Sequence, residues 1–248
     1  MELAKYLDEI VEFLKEYKEK AHADGYILGV SGGIDSAVCA FLIKKACGDN
    51  CLGLILPCHS DASDALDAAL VCQAAKLDYK TISLNETYDV IHQSIISNFQ
   101  VNKSPKNMEM ALANTKVRLR MTTIYALGQM KNYLVVGTDN WDEHYTGYFT
   151  KHGDGACDVL PLVYLTKGEV YEAARILGVP QKIIDRKPTA GLIANTYDED
   201  ELGVSYKELD AFLLGEHLDP KKEERIAILH RNSEHKRNPA ATPKPYKR

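Results

Sequence analysis

The chain has 248 residues, 45% hydrophobic and 26% charged, with 30 Lys plus Arg against 35 Asp plus Glu and a formal net charge of −5. This balance excludes a collagen, a low-complexity tail and a disordered acidic chain, and it lacks the global basic field of a nucleic-acid binder. The length suffices to bury a substantial core without disulfides, a metal or an oligomer to hold the fold.

Residues 1–9 carry charges where a signal peptide needs an apolar run, and no stretch approaches the ~20 apolar residues that cross a bilayer. A protein neither exported nor membrane-spanning is expected. Leu3, Leu7, Ile10, Val11, Leu14 and Tyr17 recur at helical spacing and predict an amphipathic packing helix. Residues 25–30 then read as a buried strand, 36–46 as a helix, 51–57 as a strand, 64–76 as a helix and 79–84 as a strand. Helices over 87–99 and 107–130 precede a fourth buried strand at 133–137. Near-continuous apolar strands with helices between them imply an α/β fold, a doubly wound parallel sheet with helices on both faces.

The 107–130 helix is apolar on more than one face. Its second face fits either a partner subunit or the chain's own carboxy-terminal helices. Residues 140–158, with their glycines, aspartates and aromatics, read as a long functional loop. Short helices are expected at 167–177, 206–214 and 220–230. The tail from Arg231 has six basic residues, one acid and no apolar period, a composition that favours disorder. No repeat, linker or compositional break divides the chain, so residues 1–248 are taken as one domain. Cysteines at 39, 47, 51, 58, 72 and 157 form no Cys-x-x-Cys pair. Buried free thiols in a reducing cytoplasm fit them better than a zinc set of Cys47, Cys51, Cys58 and His59.

The segment Val30-Ser31-Gly32-Gly33-Ile34-Asp35-Ser36 stands between the first strand and the following helix. There, at the carboxyl end of a parallel strand, free helix-start amides attract anions, and paired glycines let the backbone approach a phosphate. The segment is neither the lysine-containing phosphate loop of common NTPases nor a dinucleotide fingerprint. Asp35 would repel bound phosphates unless a divalent cation lay between them, so Asp35 reads as a Mg²⁺ ligand.

Ser31-Gly32-Gly33-Ile34-Asp35-Ser36 resembles the signature of the N-type ATP pyrophosphatases. Later segments narrow the resemblance to the ammonia-dependent NAD synthetases over nearly the whole chain: Asn114-Thr-Lys-Val-Arg118-Leu-Arg-Met121, Gly137-Thr-Asp-Asn-Trp-Asp-Glu143, Thr146-Gly-Tyr-Phe-Thr-Lys151-His-Gly-Asp-Gly155, Asp158-Val-Leu-Pro161, Leu165-Thr-Lys167 and Glu234-His-Lys-Arg237. The family implies a Rossmann-like fold of the adenine nucleotide alpha hydrolase type. Carried over residue by residue, it places ATP against Gly29, Val30, Ser31, Gly32, Gly33, Ile34, Asp35, Ser36, Thr138, Lys167 and Thr189, with Mg²⁺ at Asp35 and Glu143. Deamido-NAD would contact Arg118, Lys151, Asp158, His235 and Lys236, and Asp158 and Lys167 would be catalytic. By pattern alone, Arg118 reads as a solvated helix residue, and Glu143 and Asp158 as surface acids. Arg186 stands where the family usually has Lys, and Thr196 and Tyr197 depart from its pattern, so neither of these two is given a role.

The activity this resemblance implies is ATP-dependent amidation of deamido-NAD by ammonia, giving NAD, AMP and pyrophosphate through an acyl-adenylate. Only 30 residues precede Ser31, too few for a glutaminase domain, so ammonia is expected from solution or from an unlinked partner. Small-molecule substrates, a homodimer through the 107–130 helix, and no nucleic-acid or membrane partner complete the expectation, with residues 231–248 as a basic tail or a lid over the phosphates. GMP synthesis and tRNA thiolation share the loop, but the first normally adds a dimerisation region and the second a catalytic cysteine arrangement and a basic RNA surface, neither evident here; a non-catalytic adenine-nucleotide sensor would have no need for Arg118, Lys151, Asp158, His235 and Lys236.

Overall fold

In the computed structural model, which describes residues 2–98, 105–188 and 198–246, the apolar runs become four strands. These are β1 (Gly25–Gly29), β2 (Cys51–Ile55), β3 (Tyr79–Thr81) and β4 (Tyr133–Val136), all parallel in the order β3-β2-β1-β4. Between and before them lie α1 (Leu3–Lys20), α2 (Ile34–Cys47), α3 (Ala62–Ala74), α4 (Asn85–Asn98) and α5 (Pro105–Lys131). After β4 come α6 (Trp141–Thr146), α7 (Lys167–Leu177), α8 (Gln181–Ile184), α9 (Asp198–Leu202), α10 (Tyr206–Leu213), α11 (Pro220–Asn232) and α12 (Glu234–Arg237).

Strand side chains alternate between two cores, as the two-residue period of a strand requires. Tyr26, Leu28, Cys51 and Ile55 face a core built with α1, α2, α3, α7 and α8. Ile27, Leu52, Leu54 and Val135 face a second core completed by Tyr88 of α4 and by Met121 and Ile124 of α5. Burial on both faces explains why β1 and β2 read as unbroken apolar runs, whereas β3, at the edge of the sheet, is largely exposed. The hydroxyl of fully buried Tyr26 is satisfied by the carbonyl of Leu14, 2.9 Å away, which fixes α1 on the sheet.

The strand order sets the site. The chain steps from β1 to β2 to β3 in one direction, then returns through α4 and α5 to lay β4 on the other side of β1. The crossovers leaving β1 and β4 therefore diverge. A crevice opens between the carboxyl ends of these two strands, the place where open α/β sheets bind ligands.

Two expectations change, and two alternatives are narrowed. Residues 140–158 are not all loop, because α6 forms within them on an Asn140/Glu143 capping box. The tail is ordered through α12, and residues 238–246 follow without helix or strand. Lys236 and Arg237 hold it by donating to the carbonyls of His144, Tyr145, Gly147 and Phe149, so basic residues that suggested disorder instead cap the end of α6. The carboxy-terminal helices α10 and α11 pack on α6 and α7 rather than over α5, which rests on β1, β4 and α4. Met110, Tyr125 and Met130 of α5 stay exposed. Finally, all six cysteines are free, and no metal-holding group of three or more His, Cys, Asp or Glu occurs among the described residues, so the zinc set is not formed. No helix among them is long and apolar enough to cross a membrane.

Candidate active site

The turn leaving β1 is knitted together by its own hydroxyls. Ser31 Oγ and Ser36 Oγ lie 3.1 Å apart, the Ser36 hydroxyl donates to the Gly33 carbonyl at 3.0 Å, and the Gly33 amide donates to Ser31 Oγ at 3.2 Å. The two serines thus shape the loop before they can serve a ligand. Gly32 has φ +82°, and a Cβ there would stand 2.9 Å from Asp67 Cβ and 3.0 Å from Ala68 N and Asp64 O. Both the left-handed backbone and the contact with α3 require glycine. Gly29, Val30, Ser31, Gly33, Ile34, Asp35 and Ser36 line the crevice, while Gly32 supports the loop from behind.

Across the crevice, the turn after β4 supplies Thr138, Asp139, Asn140 and Glu143. The Asn140 side chain donates to Asp35 Oδ1 at 2.9 Å, and its carbonyl oxygen accepts the Glu143 amide at 3.0 Å, so one fully buried residue joins the two turns. Lys167, at the first position of α7 and 3% exposed, donates to Asp35 Oδ2 at 2.6 Å and Glu143 Oε1 at 3.2 Å. Its ammonium also lies 4.8 Å from the centre of the Tyr206 ring, whose hydroxyl reaches Glu143 Oε1 at 3.3 Å and Asp198 Oδ2 at 3.0 Å. Asp35, Glu143 and Lys167, distant in sequence, therefore form one ionic junction.

Burial pushes the Glu143 carboxyl up to about 7, with the Lys167 charge opposing the rise and the Asp35 charge adding to it. Burial alone would lower the Lys167 ammonium, but the charges of Asp35 and Glu143 overcome it and hold the group protonated. Asp142 is pushed up to about 8 by burial and then by the charge of Asp210. Asp139 and Asp154 are also raised, chiefly by burial. The crevice thus holds more acidic groups than cations and is suited to an arriving positive charge. Asp35 and Glu143, two hard oxygen donors converging on one ammonium, are the residues that could hold a dication.

The predicted dinucleotide contacts are brought together in part. Arg118 Nε donates to the Lys151 carbonyl at 3.2 Å, and Lys151 Nζ donates to the His235 carbonyl at 2.5 Å. Lys236 donates to the carbonyls of Gly147 and Phe149, 2.7 Å from each. Asp158 lies apart from the crevice wall: it is exposed, accepts the Val135 amide at 2.7 Å and meets the Tyr125 hydroxyl at 3.3 Å. The carboxylate that does line the crevice from this segment is Asp154. Thr138 lines it as expected, and Thr189, like Thr196 and Tyr197, lies outside the described residues. Arg186 forks over two carboxylates of α3, Asp64 at 2.5 Å and Asp67 at 3.2 Å.

Comparison with known proteins bears on this arrangement. The NAD synthase family model matches residues 6–240. The chain belongs to the NAD synthase family. The NH(3)-dependent NAD(+) synthetase of Mesoplasma florum is 47% identical over 248 residues, all of both chains, and that of Alkaliphilus oremlandii is 46% identical over 98% of each. Among solved structures, an NMN synthetase from Francisella tularensis superposes with a TM-score of 0.91 at 40% identity, covering 98% of this chain and 99% of that one. An NH3-dependent NAD synthetase from Campylobacter jejuni gives 0.79 at 28% identity, covering 98% and 100%. The fold and the ligase function expected from the motifs are those of this NAD synthase family.

Several residues of this NAD synthase site receive no role from the motifs, although Asn140, Arg120 and Tyr148 lie within them. Asn140 was legible as the first member of an Asn-x-x-Glu capping box, a signal that also announces α6. Arg120 had no such signal. It sits among the apolar residues of α5, donates to the Leu56 carbonyl at 3.0 Å and to Ser60 Oγ at 2.9 Å, and lines the crevice. Asp198 and Tyr206 reach the site through the packing of α9 and α10, where the Tyr148 hydroxyl, from the turn after α6, donates to Asp198.

Gly32→Ala is expected to cost about 1–3 kcal/mol of stability and to abolish ATP binding in calorimetry. Gly178→Ala, also at a left-handed glycine (φ +81°) but with nothing within 4 Å of its Cβ position, serves as the control and should lose stability alone. Wild-type ATP affinity in Gly32→Ala would show that the loop tolerates displacement from α3.

Proposed function

We propose that the chain activates the carboxylate of deamido-NAD with ATP and passes it to ammonia, releasing NAD, AMP and pyrophosphate. The observation that carries this reading is the Asp35–Lys167–Glu143 junction facing the amide-rich loop across the switch point of the sheet. A carboxylate resists a nitrogen nucleophile because its charge repels attack and its oxygen leaves poorly. Adenylation removes both obstacles.

In the first step, the loop of residues 29–36 and the hydroxyl of Thr138 hold the triphosphate, with Thr189 assigned to the same substrate by family resemblance. The substrate carboxylate attacks the α-phosphorus, the bond to the bridging oxygen breaks, and pyrophosphate leaves with the electron pair. Lys167 compensates the charge that develops on it. Asp35 and Glu143 would hold Mg²⁺, which when bound neutralises the phosphates and polarises the attacked phosphorus. In the second step ammonia forms the carbon–nitrogen bond, the acyl–oxygen bond to AMP breaks, and nitrogen gives up a proton. Asp154, kept in the crevice wall with a raised carboxyl, is placed to accept that proton, while Asp158 is assigned to substrate contact. Arg118, Lys151, His235 and Lys236 offer the dinucleotide its cations.

A second copy is assigned to the face of α5 that carries exposed Met110 and Tyr125, a face that Arg118 shares by helical spacing. Free cysteines and the absence of a membrane-spanning helix among the described residues favour a cytoplasmic setting. A second reading has one observation in its favour, the fit of the Francisella NMN synthetase at a TM-score of 0.91. Under it, the mononucleotide form of nicotinic acid would be the carboxylate substrate.

Incubation with Mg-ATP, ammonium and deamido-NAD labelled with ¹⁸O in its carboxylate should move label into AMP as NAD forms. Unlabelled AMP would rule out adenylation, glutamine matching ammonium would rule out the ammonia source, and a strong preference for the mononucleotide would favour the second reading. In Mn²⁺ titrations followed by electron paramagnetic resonance, affinity should fall as pH drops through about 7, because the proton competes with metal at Glu143; equal affinity at pH 6 and pH 8 would remove Glu143 from the ligand set. Sedimentation should give a dimer that Tyr125→Glu dissociates, and a monomeric wild-type protein would refute the second copy.

A further inference from the structure

The first turn of α7 is held by two acids from other helices. Asp142 of α6 accepts the Lys167 amide on Oδ2 at 2.8 Å, and Asp210 of α10 accepts the next amide, that of Gly168, on Oδ2 at 2.9 Å. The first amides of a helix have no acceptor within it, and acids there also favour its positive end. Thr166 already caps the same helix through the Glu169 amide, so three successive donors are satisfied from outside. A Cβ on Gly168 would stand 2.5 Å from Asp210 Oδ2, so the carboxylate approaches only because this position is glycine.

The two acids also meet each other. The charge of Asp210 adds to the burial that raises the Asp142 carboxyl, and the Oδ1 atoms of both are buried without a donor among the described residues. One turn earlier on α10, Tyr206 lies beneath the Lys167 ammonium and reaches Glu143. Helix α10 therefore holds the start of α7 twice, at the Gly168 amide through Asp210 and at the Lys167 ammonium through Tyr206. No other described residue outside α7 bonds the Gly168 amide.

We infer that Asp210 is a positioning residue for the ligase: with Asp142 it fixes the start of α7 so that the Lys167 ammonium is delivered between Asp35 and Glu143. This role rests on the amidation proposed above. It also gives the carboxy-terminal cluster of α9, α10 and α11 a mechanical part in the reaction, because the docking of α10 sets where Lys167 stands.

The test compares Asp210→Ala, Asp210→Asn and Gly168→Ala in kcat, in KM for ATP and ammonium, and in melting temperature. Asp210→Ala should lower kcat by about tenfold or more, in line with the cost of small misplacements, with KM for ammonium unchanged. Asp210→Asn keeps an oxygen for Gly168 and offers an N–H to Asp142, so it should stay within about threefold of wild type. Gly168→Ala displaces the carboxylate without removing it and should reproduce the loss even if Asp210→Ala folds poorly. In a Lys167→Ala background, Asp210→Ala should cause no further fall in kcat, since both act through one ammonium. Full activity in Asp210→Ala, equal damage in Asp210→Asn, or an undiminished loss in the Lys167→Ala background would overturn the positioning role alone. Absence of NAD formation by the wild-type protein would instead sink the amidation reading, and this inference with it.

Discussion

A lysine ammonium shared by two carboxylates across the mouth of a parallel sheet is the constraint on which the site depends. Removing three charges from water is costly, and the cost is offset only when each charge finds opposite charge and hydrogen bonds in place. Here Asp35 leans on Asn140 as well as Lys167, and Glu143 is held in the capping box of its own helix. The balance is incomplete, because the carboxylates outnumber the ammonium. Burial raises the Glu143 carboxyl, and the neighbouring Asp35 charge adds to the rise. A site with surplus negative charge beside free helix-start amides can receive a cation and a polyphosphate together more readily than either alone.

The scaffold serves this junction at three levels. Sheet order places the ends of β1 and β4 side by side and sends their crossovers apart. Close packing then fixes the turns: Gly32 lies against α3, and a Cβ on Gly29 would press within 2.8 Å of Ile124 on α5. Finally, the carboxy-terminal helices close on α6 and α7. Lys236 and Arg237 tie the tail to the carbonyls at the end of α6, and α10 touches both Glu143 and the start of α7. Motion in this last layer would reach the junction directly.

Much of this was legible in the sequence, for physical reasons that differ by element. Buried parallel strands must be apolar on both faces, so 25–30, 51–57 and 133–137 announced β1, β2 and β4. The Ser-Gly-Gly-Ile-Asp-Ser turn was legible because few residues permit a backbone that both bends left-handed and lies close against a neighbouring helix. Less was legible at 140–158 and in the tail, where composition stood in for structure. Helix α6 hid in a polar stretch because its stability comes from a capping box and from tertiary bonds rather than from an apolar stripe. The basic tail looked solvated because its partners, backbone carbonyls of residues 144–149, leave no trace in side-chain pattern.

The sequence by itself determined the fold class, the glycine turn after the first strand and the family, because strand burial, glycine conformation and the order of motifs are local properties of the chain. Only the tertiary structure decided that Lys167 stands between Asp35 and Glu143, that Asp154 rather than Asp158 lines the crevice, and that Asp210 meets Gly168. These contacts join residues 24 to 132 positions apart. Their energy depends on distance, burial and the direction of a hydrogen bond, none of which exists until the elements have packed.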